Sequence, residues 1–93
     1  MAFEWHEEKS ADNARERNLP FEAAAAIFRG PVLEWEDTRQ DYRERRFIAI
    51  GEVEGRCLTC VYTWREGRRR IISLRAASRG ERRDHRKTFA RPD

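Results

Sequence analysis

The chain has 93 residues, 40% of them charged and 39% hydrophobic, with a formal net charge of +3. This length predicts a single domain over residues 1–93 with a thin core. No apolar run is long enough to span a membrane, and the opening MAFEWHEEK lacks the basic and apolar regions of a signal peptide, so the cytoplasm is the expected compartment. Charge is split along the chain: residues 1–54 hold 13 Asp/Glu against 8 Lys/Arg, and residues 55–93 hold 4 against 12. The split predicts a polyanion-binding second half and an acidic first half that offsets it or meets another partner.

In chain order, Phe3 and Trp5 alternate with polar residues, as in a short strand or an anchor. Residues 6–17 are rich in helix formers. Their apolar face is weak (Ala11, Ala14), so a surface helix held by Trp5 and Leu19 is expected. Asn18 suits the left-handed position that ends a helix. Pro20 fits the first turn of a second helix, with Phe21, Ala24, Ala25 and Phe28 as its buried stripe and Gly30-Pro31 as its stop.

Residues 32–35 read as a brief strand. Residues 45–53, 57–64 and 70–76 read as three longer strands joined by Glu54-Gly55-Arg56 and Glu66-Gly67-Arg68, an antiparallel meander. Leu58, Cys60, Tyr62 and Trp64 share one face of the middle strand; Thr59, Val61 and Thr63 share the other. One apolar face and one mixed face predict a sheet covered by helices on one side and open on the other. Residues 90–93 read as untethered. The expected fold is α+β: two N-terminal helices, an antiparallel sheet of three to four strands, and a C-terminal helix.

Cys57 and Cys60 form C-x-x-C, a spacing that elsewhere marks a redox pair or half a zinc site. Within a strand, side chains three apart point to opposite faces, so neither joint chelation nor an easy disulfide is expected. No metal or cofactor is expected.

Residues 68–87 carry the densest basic charge. A strand ending in Arg75-Ala76 runs into Ser78-x-x-Glu81, a capping box that opens a helix. Arg79, Arg82, Arg83 and Arg86 then recur on one helical face. A basic face at exposed helix amides suits phosphate, and it also suits a plain solvated helix. Arginine outnumbers lysine 18 to 2, and its bidentate geometry fits phosphate better than an ammonium does.

Taken together, FEWHEEK with Lys9, FEAAAAIFRGP, Glu44-x-Arg46-Phe47 with Gly51, VYT, and RIISLR followed by Glu81-Arg82 resemble the BrnT toxins of bacterial type II toxin–antitoxin modules. The likeness runs from residue 3 to about residue 86. It departs from the family pattern at His6, Glu16-Arg17-Asn18, Ala76 and His85. The resemblance implies a RelE-like fold and an endoribonuclease that arrests translation. It also implies neutralisation by a BrnA-like ribbon-helix-helix antitoxin, with operator DNA bound only through the toxin–antitoxin complex.

Metal-independent RNA cleavage needs a base for the 2′-hydroxyl, an acid for the leaving 5′-oxygen, and cations for the phosphate. Arg75 and Arg79 are the leading phosphate ligands. Arg70 has the opposite strand parity to Arg75, so a shared site requires a sheet edge or a bulge. His85, His6, Glu44 and Lys9 are the acid–base candidates. Each has a plainer reading: an exposed helix side chain (His85), a helix-start residue (His6), a strand-end ion pair with Arg46 (Glu44) and a solvated helix residue (Lys9). Arg70, Arg82, Arg83 and Arg86 are the RNA-binding candidates, the last three serving general RNA holding or remaining solvated. Tyr62 and Trp64 read as core residues first and base-stacking platforms second, and Trp35 as a surface that a partner covers. Two other classes stay open: an inactive RNA- or DNA-binding module, and a protein whose main role is antitoxin complex formation with operon autorepression.

Overall fold

The computed structural model describes residues 2–89. They form β1 (Phe3–Trp5), α1 (Glu7–Arg17), α2 (Ala24–Ile27), β2 (Leu33–Asp37), β3 (Arg46–Val53), β4 (Arg56–Arg65), β5 (Arg68–Ala76) and α3 (Arg79–Phe89), an α+β fold. No helix among them is long and apolar enough to cross a membrane. The expectation for residues 90–93 lies outside the described residues.

The long strands are hinged on two Glu-Gly turns. Glu54 and Gly55 have φ of 51° and 80°, and Glu66 and Gly67 have φ of 52° and 78°. Positive φ at both central residues gives the two-residue turn whose twist matches that of paired strands. The connections are therefore one residue shorter than the three-residue links expected from sequence.

The sheet has five strands, in the order β1-β5-β4-β3-β2, where three to four were expected. It is also mixed rather than wholly antiparallel, because β1 runs parallel to β5 from Phe3↔Arg69 to Trp5↔Ile71. Three residues carry too little pattern to declare an orientation. Phe3 and Trp5 pack against the buried core, and the free edge of β5 supplies the hydrogen bonds.

A register shift in β5 decides which residues share a face. Val61 pairs with Ser73 but Tyr62 pairs with Ile71, so Ile72 is the extra residue of a β-bulge. Leu74 and Ile71 thus both point into the main core with Leu58, Cys60 and Tyr62. On the opposite face Arg75 stands across from Thr59, and Arg70 across from Thr63. The bulge cancels the opposite parity of Arg70 and Arg75.

The helices cover both faces, which corrects the one-sided arrangement expected. The weak apolar face of α1 was expected to leave its docking to Trp5 and Leu19; polar residues of the helix itself also tie it down. Ser10 is buried, and its Oγ accepts the Phe21 N–H at 2.9 Å. Asn13 Nδ2 donates to the Leu19 and Leu74 carbonyls at 2.7 and 2.8 Å. Buried polar groups need such partners, and here the partners tie the helix to β5. Asn18 ends α1 with φ 59°, the left-handed conformation foreseen for it.

The second predicted helix is shorter than its pattern suggested: a 3-10 turn, Phe21–Ala23, followed by one α turn in α2. Phe21, Ala24 and Ile27 are its buried residues, and Ala25 is only half-buried. A 3-10 turn advances its side chains faster than an α-helix and rotates the stripe. α2 approaches β3 so closely that a Cβ on Gly51 would lie 2.8 Å from Ile27 Cγ2. On the other face Ala77, just before α3, packs with Ile48 and Ile50. Half of that face is covered, and the half around Arg70 and Thr63 stays open.

Candidate active site

The basic corner at the start of α3 is built as its sequence foretold. Ser78 Oγ accepts the Glu81 N–H at 3.1 Å, and Glu81 Oε1 accepts the Ser78 N–H at 2.8 Å. Glu81 does more than cap. It receives both guanidinium nitrogens of Arg75 at 2.7 and 2.9 Å, and the hydroxyl of fully buried Thr59 at 3.0 Å. The Arg75 guanidinium, helped by the Ser78 amide and the Thr59 hydroxyl against the cost of burial, lowers the Glu81 carboxyl to about 2. Arg75 therefore meets a carboxylate that already occupies its bidentate face.

Other residues of this corner are also engaged. Arg82 Nη1 donates to the Ala77 carbonyl at 2.9 Å. His85 is buried, with Nε2 3.1 Å from the Pro31 carbonyl oxygen and its ring 4.8 Å from that of Phe89. That burial differs from the exposed helix position its sequence suggested. Arg86 lines the same small cleft as His85, with Pro31, Glu52 and Phe89. Arg79 and Arg83 are exposed on α3.

The open half of the same sheet face has a different composition. A cleft of about 380 Å³ is lined by Lys9, Glu44, Arg46, Thr63, Trp64, Arg65, Arg70 and Ile72. Four cations face one carboxylate there. Lys9 comes from α1, Arg46 from the start of β3, Arg65 from the end of β4 and Arg70 from β5. Arg46 and Arg70 flank Thr63 across three adjacent strands, because Asp37↔Arg46 and Phe47↔Tyr62 set the register on one side and Thr63↔Arg70 on the other.

Their surroundings hold these groups in place. Arg70 Nη1 donates to Glu4 Oε2 at 2.6 Å, across 66 residues of sequence. Arg46 Nε lies 3.3 Å from Glu44 Oε2, and its guanidinium sits 4.3 Å from the centroid of Tyr42. The strand-end pair of Glu44 and Arg46 thus exists, and it forms one wall of the cleft.

The loop carrying Glu44 is fixed by Asp37, whose carboxylate is buried. Asp37 accepts the Arg39 backbone N–H at 3.1 Å, two Arg39 guanidinium bonds at 2.8 Å each, and the Tyr42 hydroxyl at 2.9 Å. The Arg39 guanidinium first, then its amide and the Tyr42 hydroxyl, hold the Asp37 carboxyl far below the usual carboxylate range. Thr63 Oγ1 donates to the Arg45 carbonyl at 2.6 Å, pinning the far end of the loop to β4. A larger cleft of about 480 Å³ lies over this loop, but its lining sets Glu36, Asp37, Asp41 and Glu44 against Arg43 and Arg45, a net negative balance that disfavours phosphate.

Of the residues named from sequence, the cleft brings together Lys9, Glu44 and Arg70. It does not include Arg75, Arg79, Arg82, Arg83, His85 or Arg86. His6 is exposed just before α1, the helix-start position. Arg46 as a cleft cation, Arg65 and Glu4 were missed as site residues. Arg46 shares strand parity with Ile48 and Ile50, but that signal has no value until β3 is aligned with β4.

Cys57 and Cys60 lie in different clusters on opposite faces, and burial pushes the Cys60 thiol up to about 12. Tyr62 is a core residue, as expected; its hydroxyl donates to Glu34, and burial pushes it up to about 12. Trp64 is not a core residue, being 48% exposed.

Comparison with protein families matches residues 5–81 to the family described as the ribonuclease toxin, BrnT, of type II toxin–antitoxin systems. Comparison with curated proteins finds no match. The family match takes in Lys9, Glu44, Arg46, Arg65 and Arg70, every charged group of the cleft, and ends at Glu81, the carboxylate that builds the corner. With the cleft and the carboxylate of the corner inside the matched span, the chain belongs to the BrnT family of type II toxin–antitoxin ribonuclease toxins.

Proposed function

We propose that this chain is a metal-independent endoribonuclease toxin whose reaction centre is the Lys9–Glu44–Arg46–Arg70 cleft. Family membership supplies the ribonuclease class and an antitoxin partner. The observation that carries the assignment is the excess of cations on an open sheet face, Lys9, Arg46, Arg65 and Arg70 against Glu44 and the Glu4 that holds Arg70. Glu44 takes the proton of the ribose 2′-hydroxyl as its oxygen attacks phosphorus. The bond from phosphorus to the 5′-oxygen breaks, and Lys9 delivers a proton to that leaving oxygen. Arg46 and Arg70 meet the charge that builds on the non-bridging oxygens, which favours the transition state over the ground state. The products are a 2′,3′-cyclic phosphate and a 5′-hydroxyl.

In this reading Arg75 is a structural partner of Glu81, while Arg79, Arg82, Arg83 and Arg86 hold RNA outside the cleft through long-range attraction. His85 supports the α3 contact with Pro31 and transfers no proton. The RelE-like arrangement, arrest of translation and action in the cytoplasm follow from the same family reading. So do neutralisation by a BrnA-like ribbon-helix-helix antitoxin and contact with operator DNA only through that complex.

The test uses the purified chain and single-stranded RNA, with Glu44→Gln beside it. Loss of a positioned base is expected to slow cleavage by about 10²–10⁴-fold with RNA affinity retained. Wild-type protein that leaves RNA intact would sink the enzymatic reading. One observation favours a second reading, a non-cleaving module that binds nucleic acid and serves antitoxin complex formation and autorepression: Arg46 and Arg70 already hold Glu44 and Glu4. That reading predicts salt-dependent RNA or DNA binding with no product formed.

A further inference from the structure

We propose that the outer face of the Trp64 indole is a stacking subsite for one unpaired base of single-stranded RNA. The inference rests on the ribonuclease reading of the adjoining cleft and names how its substrate is gripped. Large aromatic side chains are the main currency of a thin core, yet Trp64 leaves 48% of its surface open while neighbouring Tyr62 is 2% exposed. Trp64 lines the cationic cleft and also a second, adjoining cleft with Glu44, Arg45, Phe47 and Thr63.

The ring is held from behind. The Arg69 guanidinium lies 4.6 Å from the Trp64 centroid and 4.1 Å from that of Phe28, inside a cluster that also includes Tyr62 at 5.2 Å. Tyr62 meets Trp64 edge to face, with centroids 5.7 Å apart and planes at 87°. With Arg69 over one face, the tilt set by Tyr62 and 48% of the residue exposed, the ring is already oriented when a ligand arrives at the face away from Arg69. Pre-ordering an aromatic side chain removes part of the entropy cost of binding.

The surroundings select the ligand. Trp64 is flanked by Lys9, Arg46, Arg65 and Arg70, with Arg45 and Phe47 in the second cleft and Glu44 as the carboxylate of both. Cations that track a phosphate backbone beside an aromatic platform are the pattern of single-strand recognition, since duplex bases cannot present a free face.

The test uses a short RNA carrying 2′-O-methyl groups throughout, which binds without being cleaved. Single abasic residues are scanned along it with wild-type protein, Trp64→Leu and Trp64→Phe. Stacking on one aromatic side chain corresponds to about 5- to 150-fold in affinity. One abasic position is therefore expected to weaken wild-type binding within that range. Trp64→Leu should lose the same factor on intact RNA and become indifferent to the abasic position, and Trp64→Phe should keep part of it. The slope of log affinity against log salt should be unchanged in Trp64→Leu, whereas Arg70→Ala should reduce it by about 0.7.

Equal affinity of Trp64→Leu and wild type for this RNA overturns the proposal. Loss of antitoxin binding with RNA affinity unchanged also overturns it and makes Trp64 a protein contact. A position-specific stacking effect in a wild type that leaves ordinary RNA uncut keeps the subsite and removes the ribonuclease reading. Normal cleavage with no effect at Trp64 does the reverse.

Discussion

One face of this sheet carries two basic regions that look alike in sequence and differ in what their charges do. At the covered end, Arg75 is bidentate to Glu81 and Arg82 is folded onto the Ala77 carbonyl. At the open end, Lys9, Arg46, Arg65 and Arg70 share a cleft with Glu44. The covered end is denser in arginine, but its central guanidinium is spent on an internal carboxylate. The open end draws its cations from four elements and sets Lys9 and Arg65 beside the Arg70–Glu4 and Arg46–Glu44 pairs around one cleft. Arginine density along the chain is therefore a poor guide to where an anion binds; the balance of partners in space is a better one.

The largest effect expected from this contrast is on catalysis. Arg70→Ala should lower kcat by about 10²–10³-fold, the loss typical of one transition-state donor, while Arg75→Ala should change it by less than about tenfold and mainly lower Tm. Single-turnover cleavage of one RNA by both variants measures this. Equal large losses in both would erase the distinction between the two ends.

Next comes the corner itself. Glu81→Ala removes the reciprocal cap, the Arg75 pair and the Thr59 acceptor together, and is expected to cost about 2 kcal/mol. For a domain of this size that lowers Tm by about 8–16 °C. Because folding lowers the Glu81 carboxyl from 4.5 to about 2, its contribution is fully present above about pH 4.5. It is lost as pH falls toward 2. Wild-type stability should thus drop across that window, and the Glu81→Ala variant should show a shallower decline. Parallel acid-unfolding curves would remove Glu81 as the keystone of the corner.

The smallest effect separates burial from chemistry. His85→Phe keeps a tilted ring contact with Phe89 but leaves the Pro31 carbonyl without its His85 partner, a loss of about 1–3 kcal/mol. Cleavage rate and its pH profile should match wild type once the fold is formed. A lost limb in the profile of this variant would return His85 to the reaction and join the two ends into one site.

Several features of both ends are legible in the order of residues. Ser78 and Glu81 announce the start of α3, and Asn18 announces the end of α1. The Glu-Gly pairs at 54–55 and 66–67 announce the turns. In each case the deciding hydrogen bonds or dihedral angles lie within about four residues. Lys9, Glu44 and Arg70 are identifiable as candidates by residue type. The opposite faces of Cys57 and Cys60 follow from strand parity alone.

What the order of residues hides depends on partners far along the chain. Ser10 and Asn13 look like interruptions in a helix until Phe21, Leu19 and Leu74 arrive as their partners. The pattern of β4 assigns Trp64 to the same face as Leu58 and Cys60, but at the far end of the strand the ring stays 48% exposed, packed on Arg69 and Tyr62 rather than inside the core.

By itself the sequence determined most of the strands and helices, the turns, the cap of α3 and the family. The tertiary structure alone decided that β1 closes the sheet in parallel and that α3 covers half of the second face. It also decided that the bulge at Ile72 turns Arg70 toward Thr63 and Arg46. The physical reason is the two-residue period of a strand. A one-residue slip in pairing moves every later side chain to the other face, and pairing is settled by contacts between strands rather than within them.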